Sequence, residues 1–436
     1  MSSSIFRYFI YNKINTEYIV YNSKGELNLR VIGLSSTDTV RSLSKRSTFM
    51  FIIIVLVSAI PAFLEGFDTN LYTFGAPFIV PAVHGTVTLL GLIATGFALG
   101  IAVFSLVGGY LFDRFSVKYT IILSVLIFTI FTVATGFANS PFTLMISRFL
   151  VGVGVGMFQP AIIALLGDIF YETRGRAVSA FAVFFGLGLF IGPYLIAPFL
   201  PAFRIPFIIS GVFSLVALVL FYLIIPKTYK KVERNSLSFK GMFNRNVLVL
   251  SVSIFLFGIT LFGYLGYYSE FLLKVLMLRA STAANISSMG GLGGLICAFP
   301  LGMLADKVGR KYIVSFASLL IAIGSIGMFG IAKTPAELLV ATFLFGAGWG
   351  IYVDLTAALC QDSVDDSIAG TITGVIFLVF NIGAMLGGPL FSFLKPMGFV
   401  SAGLITLGVS SILSLILTLF TQPVGENAMS REEMAM

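Results

Sequence analysis

The sequence predicts an all-α integral membrane protein, with twelve transmembrane helices in two pseudo-symmetric six-helix bundles. Three observations lead to this fold class: an apolar composition, twelve runs of membrane-spanning length, and a charged motif that occurs twice, 193 positions apart. Of the 436 residues, 58% are hydrophobic and 11% are charged, and the mean hydropathy is +1.02. Soluble chains carry about 25% charged residues, so these charges are too few to cover a water-soluble surface.

The transmembrane helices are predicted from the lengths of the apolar runs. A membrane-spanning helix needs ~20 mostly apolar residues. Gly, Pro and Ser inside such a run are tolerated, because neighbouring helices can satisfy the freed backbone groups. The ~10-residue alternating segments that are typical of a transmembrane barrel are absent from the sequence. The predicted helices are residues 48–76, 87–111, 119–138, 141–167, 177–199, 203–225, 246–271, 283–304, 312–332, 335–360, 368–394 and 397–421.

A short charged motif follows the second and the eighth of these runs. A carboxylate beside cations is costly in lipid, so each copy is predicted to form a short loop at the membrane–water boundary. The first copy reads Gly109-Tyr-Leu-Phe-Asp113-Arg114-Phe-Ser116-Val117-Lys118, and the second reads Gly302-Met-Leu-Ala-Asp306-Lys307-Val-Gly309-Arg310-Lys311.

The repeat extends beyond the motif and predicts the domain organisation. At an offset of 194 residues, the glycines of the fourth run match those of the tenth, which are Gly152, Gly154 and Gly156 against Gly346, Gly348 and Gly350. Small residues let membrane helices approach closely, so these glycines are interpreted as packing positions. The predicted parts are a cytoplasmic N-terminal arm 1–47, a bundle 48–225, a polar cytoplasmic linker 226–245, a second bundle 246–421 and a cytoplasmic tail 422–436.

The basic residues are distributed unevenly between the two predicted sides of the membrane. If the first helix runs outward, 21 of the 27 lysines and arginines fall inside, five fall outside, and Arg148 alone lies within a span. Cytoplasmic loops carry the Lys/Arg excess, so a multi-pass protein of the cell membrane with both termini in the cytoplasm is predicted. This skew explains the net charge of +8 without nucleic-acid binding.

The sequence offers no sign of enzymatic chemistry. One His and the separated Cys297 and Cys360 form neither a metal cluster nor a disulfide framework. A nucleophile–base set and a phosphate-binding loop are also missing from the sequence. We therefore expect no cofactor and no enzyme activity, and a monomer whose partners are a small-molecule substrate, protons and the lipid bilayer.

The second motif copy resembles the loop signature of the major facilitator superfamily, whereas the first copy departs from it at Ser116 and Val117. The resemblance implies a secondary transporter that works by alternating access, with its substrate bound near the membrane midplane between the bundles. It also implies a conformational gate at the inner loops, whose ion pairs close the cytoplasmic side. The gate candidates are Gly109, Asp113, Arg114, Lys118, Asp168, Glu172, Arg174, Arg176, Gly302, Asp306, Lys307, Gly309, Arg310, Lys311 and Asp362.

Two ionisable residues are expected to meet inside the membrane. If the first helix ends near Pro77, Asp68 lies at about the same depth as Arg148, at a rise of about 1.5 Å per residue. Gly66-Phe-Asp68-Thr and Arg148 are similar to motifs of sugar porters and aromatic-acid/proton symporters. That resemblance implies that Asp68 carries the coupling proton and that Arg148 is its partner. Glu65 lies three residues before Asp68 on the same helical face and joins this set. The alternative is a permanent salt bridge that only holds two helices together.

Further polar and aromatic residues are candidates for the substrate cavity. Gln159 returns to the face of Arg148 after eleven residues, and three tyrosines share one side of the seventh run. Each has a structural alternative, such as interfacial aromatics at the headgroup level or a buried polar partner. The cavity candidates are Gln159, Tyr264, Tyr267, Tyr268, Trp349, Asp354 and Asn381.

These features predict proton-coupled uptake of a small polar or anionic metabolite, such as an organic acid, an aromatic acid or a sugar. Two alternatives stay open: a proton-driven efflux antiporter of lipophilic compounds, and a non-transporting membrane sensor on the same fold. Gly188-x-x-x-Gly192-Pro193 resembles part of a motif of drug/proton antiporters, but Ala384-x-x-x-Gly388-Pro389 reproduces it in the other half. A feature that both halves share favours a packing role.

Overall fold

The computed structural model describes residues 48–114, 117–169, 174–225, 244–364 and 369–423. Within these ranges the chain forms twelve helices and no strand. Ten of the described helices are long and apolar enough to cross a membrane. The helices are α1 (Thr48–Ala82), α2 (Val87–Arg114), α3 (Val117–Gly136), α4 (Pro141–Ile169), α5 (Arg174–Ile196), α6 (Arg204–Ile224), α7 (Arg245–Glu270), α8 (Ala280–Val308), α9 (Arg310–Ile326), α10 (Pro335–Asp362), α11 (Ala369–Leu394) and α12 (Phe399–Gly403, a π-helical segment Leu404–Val409, and Ser410–Leu419).

The twelve helices pack as two six-helix bundles, α1–α6 and α7–α12. In the first bundle α2 packs on α4 and α1 on α5, and in the second α8 packs on α10 and α7 on α11. The main contacts between the bundles are α5 with α8 and α2 with α11. The predicted fold class is therefore confirmed.

The helix surfaces follow the logic of a membrane protein rather than that of a soluble one. On α6 the buried face carries Ser210 and Ser214, whereas Phe213 and Leu223 are exposed. Small and hydroxyl side chains favour close helix–helix contact in lipid, because the lipid tails are as apolar as leucine side chains. The exposed apolar side chains of α6 therefore form a surface suited to lipid.

The glycines of the repeat pack in the same way in both bundles. A Cβ atom on Gly152 would collide with the carbonyl of Phe97 on α2, and a Cβ atom on Gly346 would collide with the carbonyl of Gly290 on α8. These two contacts are related by the repeat and support the packing interpretation. The other glycines also pack closely on a neighbouring helix. Gly154 contacts Phe128 and its counterpart Gly348 contacts Ile321, whereas Gly156 contacts Ile101 and its counterpart Gly350 contacts Gly294.

The second motif copy is almost entirely helical, which differs from the loop that the sequence predicts. Asp306 and Lys307 lie in the last turn of α8, and α9 begins at Arg310. The whole change of direction falls on Gly309, whose φ of +107° is open to glycine but strained for other residues. In the first copy α2 likewise continues to Arg114, and residues 115–116 lie outside the described ranges.

The first helix is longer than predicted. It continues past Pro77 to Ala82 and contains three prolines, Pro61, Pro77 and Pro81. Membrane helices tolerate such prolines because nearby groups satisfy the backbone carbonyls that lose a donor. A proline was thus an unreliable sign of the helix end.

The bundles are in contact at the end opposite the motifs. We call the end that carries the α2–α3 and α8–α9 connections the motif end, and the other end the far end. Near the far end, a Cβ atom on Gly388 would lie 2.7 Å from the Cα atom of Gly91, and the Thr95 hydroxyl donates to the carbonyl of Met385 at 2.7 Å. Towards the motif end, a Cβ atom on Gly374 would meet no atom within 4 Å. The structure therefore has its far end closed.

Candidate functional site

Asp68 and Arg148 form a buried ion pair inside the first bundle. Arg148 Nη1 lies 2.8 Å from Asp68 Oδ2, and the side chains are 2% and 1% exposed. The hydroxyl of Thr132 on α3 donates to the other carboxylate oxygen at 2.8 Å. The pairing expected from helix depth is therefore present, and it joins three helices.

Two aromatic rings enclose the guanidinium of Arg148. Its central carbon lies 4.3 Å from the ring centroid of Tyr72 and 5.2 Å from that of Phe97. Arginine stacks well on aromatic faces because its guanidinium is planar and weakly hydrated. The Nε of Arg148 has no hydrogen-bond partner among the described residues. The pair is thus well packed, and at least the Nε donor of the guanidinium stays unused.

Glu65 lies one helical turn from Asp68 and has a different environment. It is 4% exposed, and its Oε1 accepts a hydrogen bond from Gln159 Nε2 at 2.6 Å. Its Oε2 is buried and has no partner among the described residues. Gln159 itself is partly exposed. The two α1 acids therefore differ, since Asp68 faces a cation and Glu65 faces a neutral amide.

The second bundle has a neutral residue at the position that corresponds to Arg148. By the 194-residue offset, Thr342 is the counterpart of Arg148, and its hydroxyl lies 2.6 Å from that of Tyr268. The position of Arg148 is thus occupied by a neutral hydroxyl residue in the second bundle. The buried ion pair between α1 and α4 is therefore a feature of the first bundle.

An aromatic cluster lies where the bundles meet. Tyr264 stacks near Tyr268 with ring centroids 5.1 Å apart and contacts Phe345 at 4.6 Å. Trp349 packs edge-on against Phe185 of the first bundle at 6.4 Å. The cluster thus brings three of the predicted cavity residues, Tyr264, Tyr268 and Trp349, to the bundle interface.

The remaining cavity candidates lie in three different settings. Tyr267 is fully buried, stacks on Phe391 at 4.3 Å, and directs its hydroxyl towards the carbonyl of Val87 at 3.5 Å. Asn381 is buried and donates to the carbonyl of Phe377 at 2.8 Å. Asp354 on α10 is exposed. Asp354 is thus more exposed than Tyr267 and Asn381.

Two small cavities lie between the first and the second bundle. One of about 30 Å³ is lined by Tyr72, Phe97, Arg148 and Phe262, and one of about 10 Å³ is lined by Asn70 and Ser287, among others. A cavity needs roughly 10–15 Å³ to hold a water molecule. Both are too small for a metabolite, so substrate binding at these positions requires the bundles to move.

The predicted gate residues lie at the motif end. Arg310 Nη1 is 2.6 Å from Asp362 Oδ1, and both side chains are about one-third exposed, so this pair is expected to be weak alone. Lys118 donates to the carbonyls of Tyr222 and Ile225, which ties α3 to the end of α6. Lys307 is exposed, and Lys311 is partly buried. Glu172 lies outside the described ranges, and only the backbone is described for Asp113, Arg114, Asp168, Arg174, Arg176 and Asp306.

Replacing Asp113 by asparagine is expected to slow transport with little change in substrate affinity. The residue lies in the last turns of α2, distant from the ion pair. Transport rate and equilibrium binding, measured on the same preparation, check this. Asp306→Asn is expected to act in the same way from the second copy. A large loss of binding with normal interconversion would contradict the gate assignment.

The fold and the buried charges together define a membrane transporter made of two helical bundles. Residues 58–388 match the Major Facilitator Superfamily, and the chain belongs to this family. It is similar to the hexuronate transporter of Bacillus subtilis (strain 168), with 22% identity over 405 residues, covering 85% of this chain and 94% of that protein. It is also similar to the cis,cis-muconate transport protein of Acinetobacter baylyi, with 23% identity over 372 residues, covering 80% and 88%.

Among solved structures, the fold is similar to that of a D-xylose-proton symporter, with a TM-score of 0.71, 18% identity, and coverage of 85% of this chain and 97% of that one. The family and these relatives are transporters and not enzymes. The chain is thus a multi-pass membrane transporter of small molecules.

Sequence reasoning missed the side chains that surround the ion pair. Thr132, Tyr72 and Phe97 contact Asp68 or Arg148 but belong to residue types that recur throughout the apolar runs. Tyr72 lies four residues after Asp68, on the same helical face. That spacing is the one signal that could have identified it.

Proposed function

We propose that the chain imports a small polar or anionic metabolite together with protons, by alternating access of the space between its bundles. The observation that carries this proposal is the buried Asp68–Arg148 pair, with Glu65 one turn away. Intramembrane charges are costly and are retained mainly for function. A carboxylate that either pairs with a guanidinium or binds a proton has two charge states and can act as a switch between them.

The proposed coupling step follows from the chemistry of the pair. In the far-end-closed structure Asp68 holds Arg148 at 2.8 Å. A proton that binds Asp68 neutralises the carboxylate and frees the guanidinium, which can then interact with a carboxylate or hydroxyl of the substrate. Arginine suits this role because its planar donors match carboxylates. Loss of the proton on the other side restores the pair and releases the substrate.

Carboxylated and polyhydroxylated compounds are the proposed substrate classes. The hexuronate and muconate transporters support the first class and the D-xylose-proton symporter supports the second, although all are under 25% identical to this chain. Proteoliposomes with an imposed pH gradient and no membrane potential test uptake of D-glucuronate, cis,cis-muconate and D-xylose. Accumulation that requires the gradient is the expected result. Binding without flux would favour a sensor, and extrusion of lipophilic compounds would favour efflux.

Both termini and the linker are proposed to face the cytoplasm. In a background without Cys297 and Cys360, Ser236→Cys is expected to resist an impermeant thiol reagent added outside intact cells. His84→Cys is the matched control, because His84 is exposed in the turn between α1 and α2. It is expected to react. Labelling of Ser236→Cys with protection of His84→Cys would reverse the orientation.

A further inference from the structure

Glu65 has an unsatisfied atom in the membrane interior. Its Oε1 is held by Gln159 Nε2 at 2.6 Å, whereas its Oε2 is buried with no partner among the described residues. A buried charge is costly unless it is paired and hydrogen-bonded. An ionised Glu65 would leave half of its charge without any donor.

The helices that pack around α1 supply no described cation to Glu65. On α1 itself, Asp68 would repel a negative Glu65. On α4, Arg148 is engaged with Asp68 and enclosed by two rings. On α7, Glu270 lies near the far end, and across the bundle interface α10 carries Asp354. The cations of α5 lie at the motif end of that helix, and their side chains are not described. The described surroundings therefore favour a neutral Glu65.

Gln159 connects Glu65 to the accessible surface of the protein. Its amide contacts the carboxyl group, and the residue itself is partly exposed. The Nε2 group can donate to Oε1 whether or not Oε2 carries a proton. Gln159 thus holds the carboxyl group in place while leaving Oε2 free to gain or lose a proton.

We infer that Glu65 is a second proton-binding site, separate from Asp68–Arg148, so that two protons move with each substrate molecule. The inference rests on the proposed proton-coupled function. In the step, water on one side of the membrane gives a proton to Oε2 and forms a neutral carboxylic acid. The same proton returns to water on the other side after the bundles have moved. No other bond is made or broken.

The substrate-free test is infrared difference spectroscopy of the purified protein between mildly acidic and mildly alkaline buffer. The C=O band of the Glu65 carboxylic acid is expected in the parent and in Glu337→Gln. It is expected to be missing from Glu65→Gln, in which any band of Asp68 remains. Glu337 is an exposed acid that caps α10. Thermal unfolding checks that Glu65→Gln is folded. Identical difference spectra for the parent and a folded Glu65→Gln would overturn the inference.

The transport test measures stoichiometry in proteoliposomes with D-glucuronate, cis,cis-muconate or D-xylose, whichever is taken up, at zero membrane potential. A tenfold proton gradient supports about a hundredfold accumulation with two protons and about tenfold with one, because each proton contributes one factor of ten. The parent and Glu337→Gln are expected to reach the higher ratio, and Glu65→Gln the lower. About tenfold accumulation by the parent, which corresponds to one proton, would overturn the second site but keep the proposed function. Absence of gradient-driven uptake in the parent would sink the proposed function itself.

Discussion

Replacing Asp68 by asparagine is expected to abolish proton-driven accumulation while leaving substrate exchange measurable. Asparagine keeps the size of the side chain and mimics the protonated state, so Arg148 cannot return to the ion pair. The empty protein is then unable to change sides, and net accumulation stops even though Glu65 still binds its proton. Exchange across equal pH needs no net proton movement and therefore survives. Efflux, exchange and gradient-driven uptake in the same proteoliposomes check this. Normal accumulation by Asp68→Asn would place the coupling elsewhere, with Glu65 and Asp354 the next candidates.

The partner variant separates coupling from stability. Arg148→Ala leaves Asp68 buried without its cation, and breaking a buried pair in this way costs about 3–5 kcal/mol. We expect lower thermal stability for Arg148→Ala than for Asp68→Asn. The double variant Asp68→Asn/Arg148→Ala removes both charges and is expected to recover part of the loss. Equal stability of Arg148→Ala and the double variant would argue against a tightly coupled pair.

Replacing Gly388 by valine is expected to hold the far end open and to stop transport. A Cβ atom there would lie 2.7 Å from the backbone of Gly91, which cannot yield as a flexible side chain would. Overpacking of this kind costs about 1–3 kcal/mol, which disfavours the closed state by about 5- to 150-fold. Ala94→Cys lines the cavity between α1, α2 and α7. Its labelling from the far side, without Cys297 and Cys360, is expected to rise in Gly388→Val.

Matched controls lie on the same two helices. Gly374 on α11 and Gly96 on α2 have no atom within 4 Å of the position that a Cβ would occupy. Gly374→Val and Gly96→Val are therefore expected to keep transport and the parental labelling pattern, whereas Gly91→Val should behave like Gly388→Val. Equal effects at all four positions would show that valine disturbs the helices in general and not the closure of the far end.

Sequence reasoning succeeded where one variable decided the outcome. Helix existence depends on the length of an apolar run, and the Asp68–Arg148 contact depends mainly on shared depth. The expected contact is present although α1 ends later than predicted, because Asp68 still lies at the depth of Arg148. The glycine repeat was also readable, since small residues at a fixed offset have few uses in a membrane helix.

The missed features depend on several variables at once. The contact between Glu65 and Gln159 requires the rotation of two helices and two side-chain rotamers. The contact between Trp349 and Phe185 requires the relative position of two bundles, which no motif encodes. The turn at Gly309 could not be predicted without knowing that α8 ends directly before this residue and that α9 begins directly after it.

The neutrality of the Asp68–Arg148 pair has a consequence for the electrical work of the transport cycle. Moving one elementary charge through a membrane potential of 100 mV involves about 2.3 kcal/mol. While the two side chains are joined, their opposite charges cancel, and the pair can shift with its bundle without responding to that potential. A proton on Asp68 leaves the positive charge of Arg148 unbalanced. With a neutral substrate the protonated pair is then driven by voltage, whereas a substrate carboxylate bound to Arg148 cancels that charge. The unprotonated pair returns in both cases without opposing the voltage.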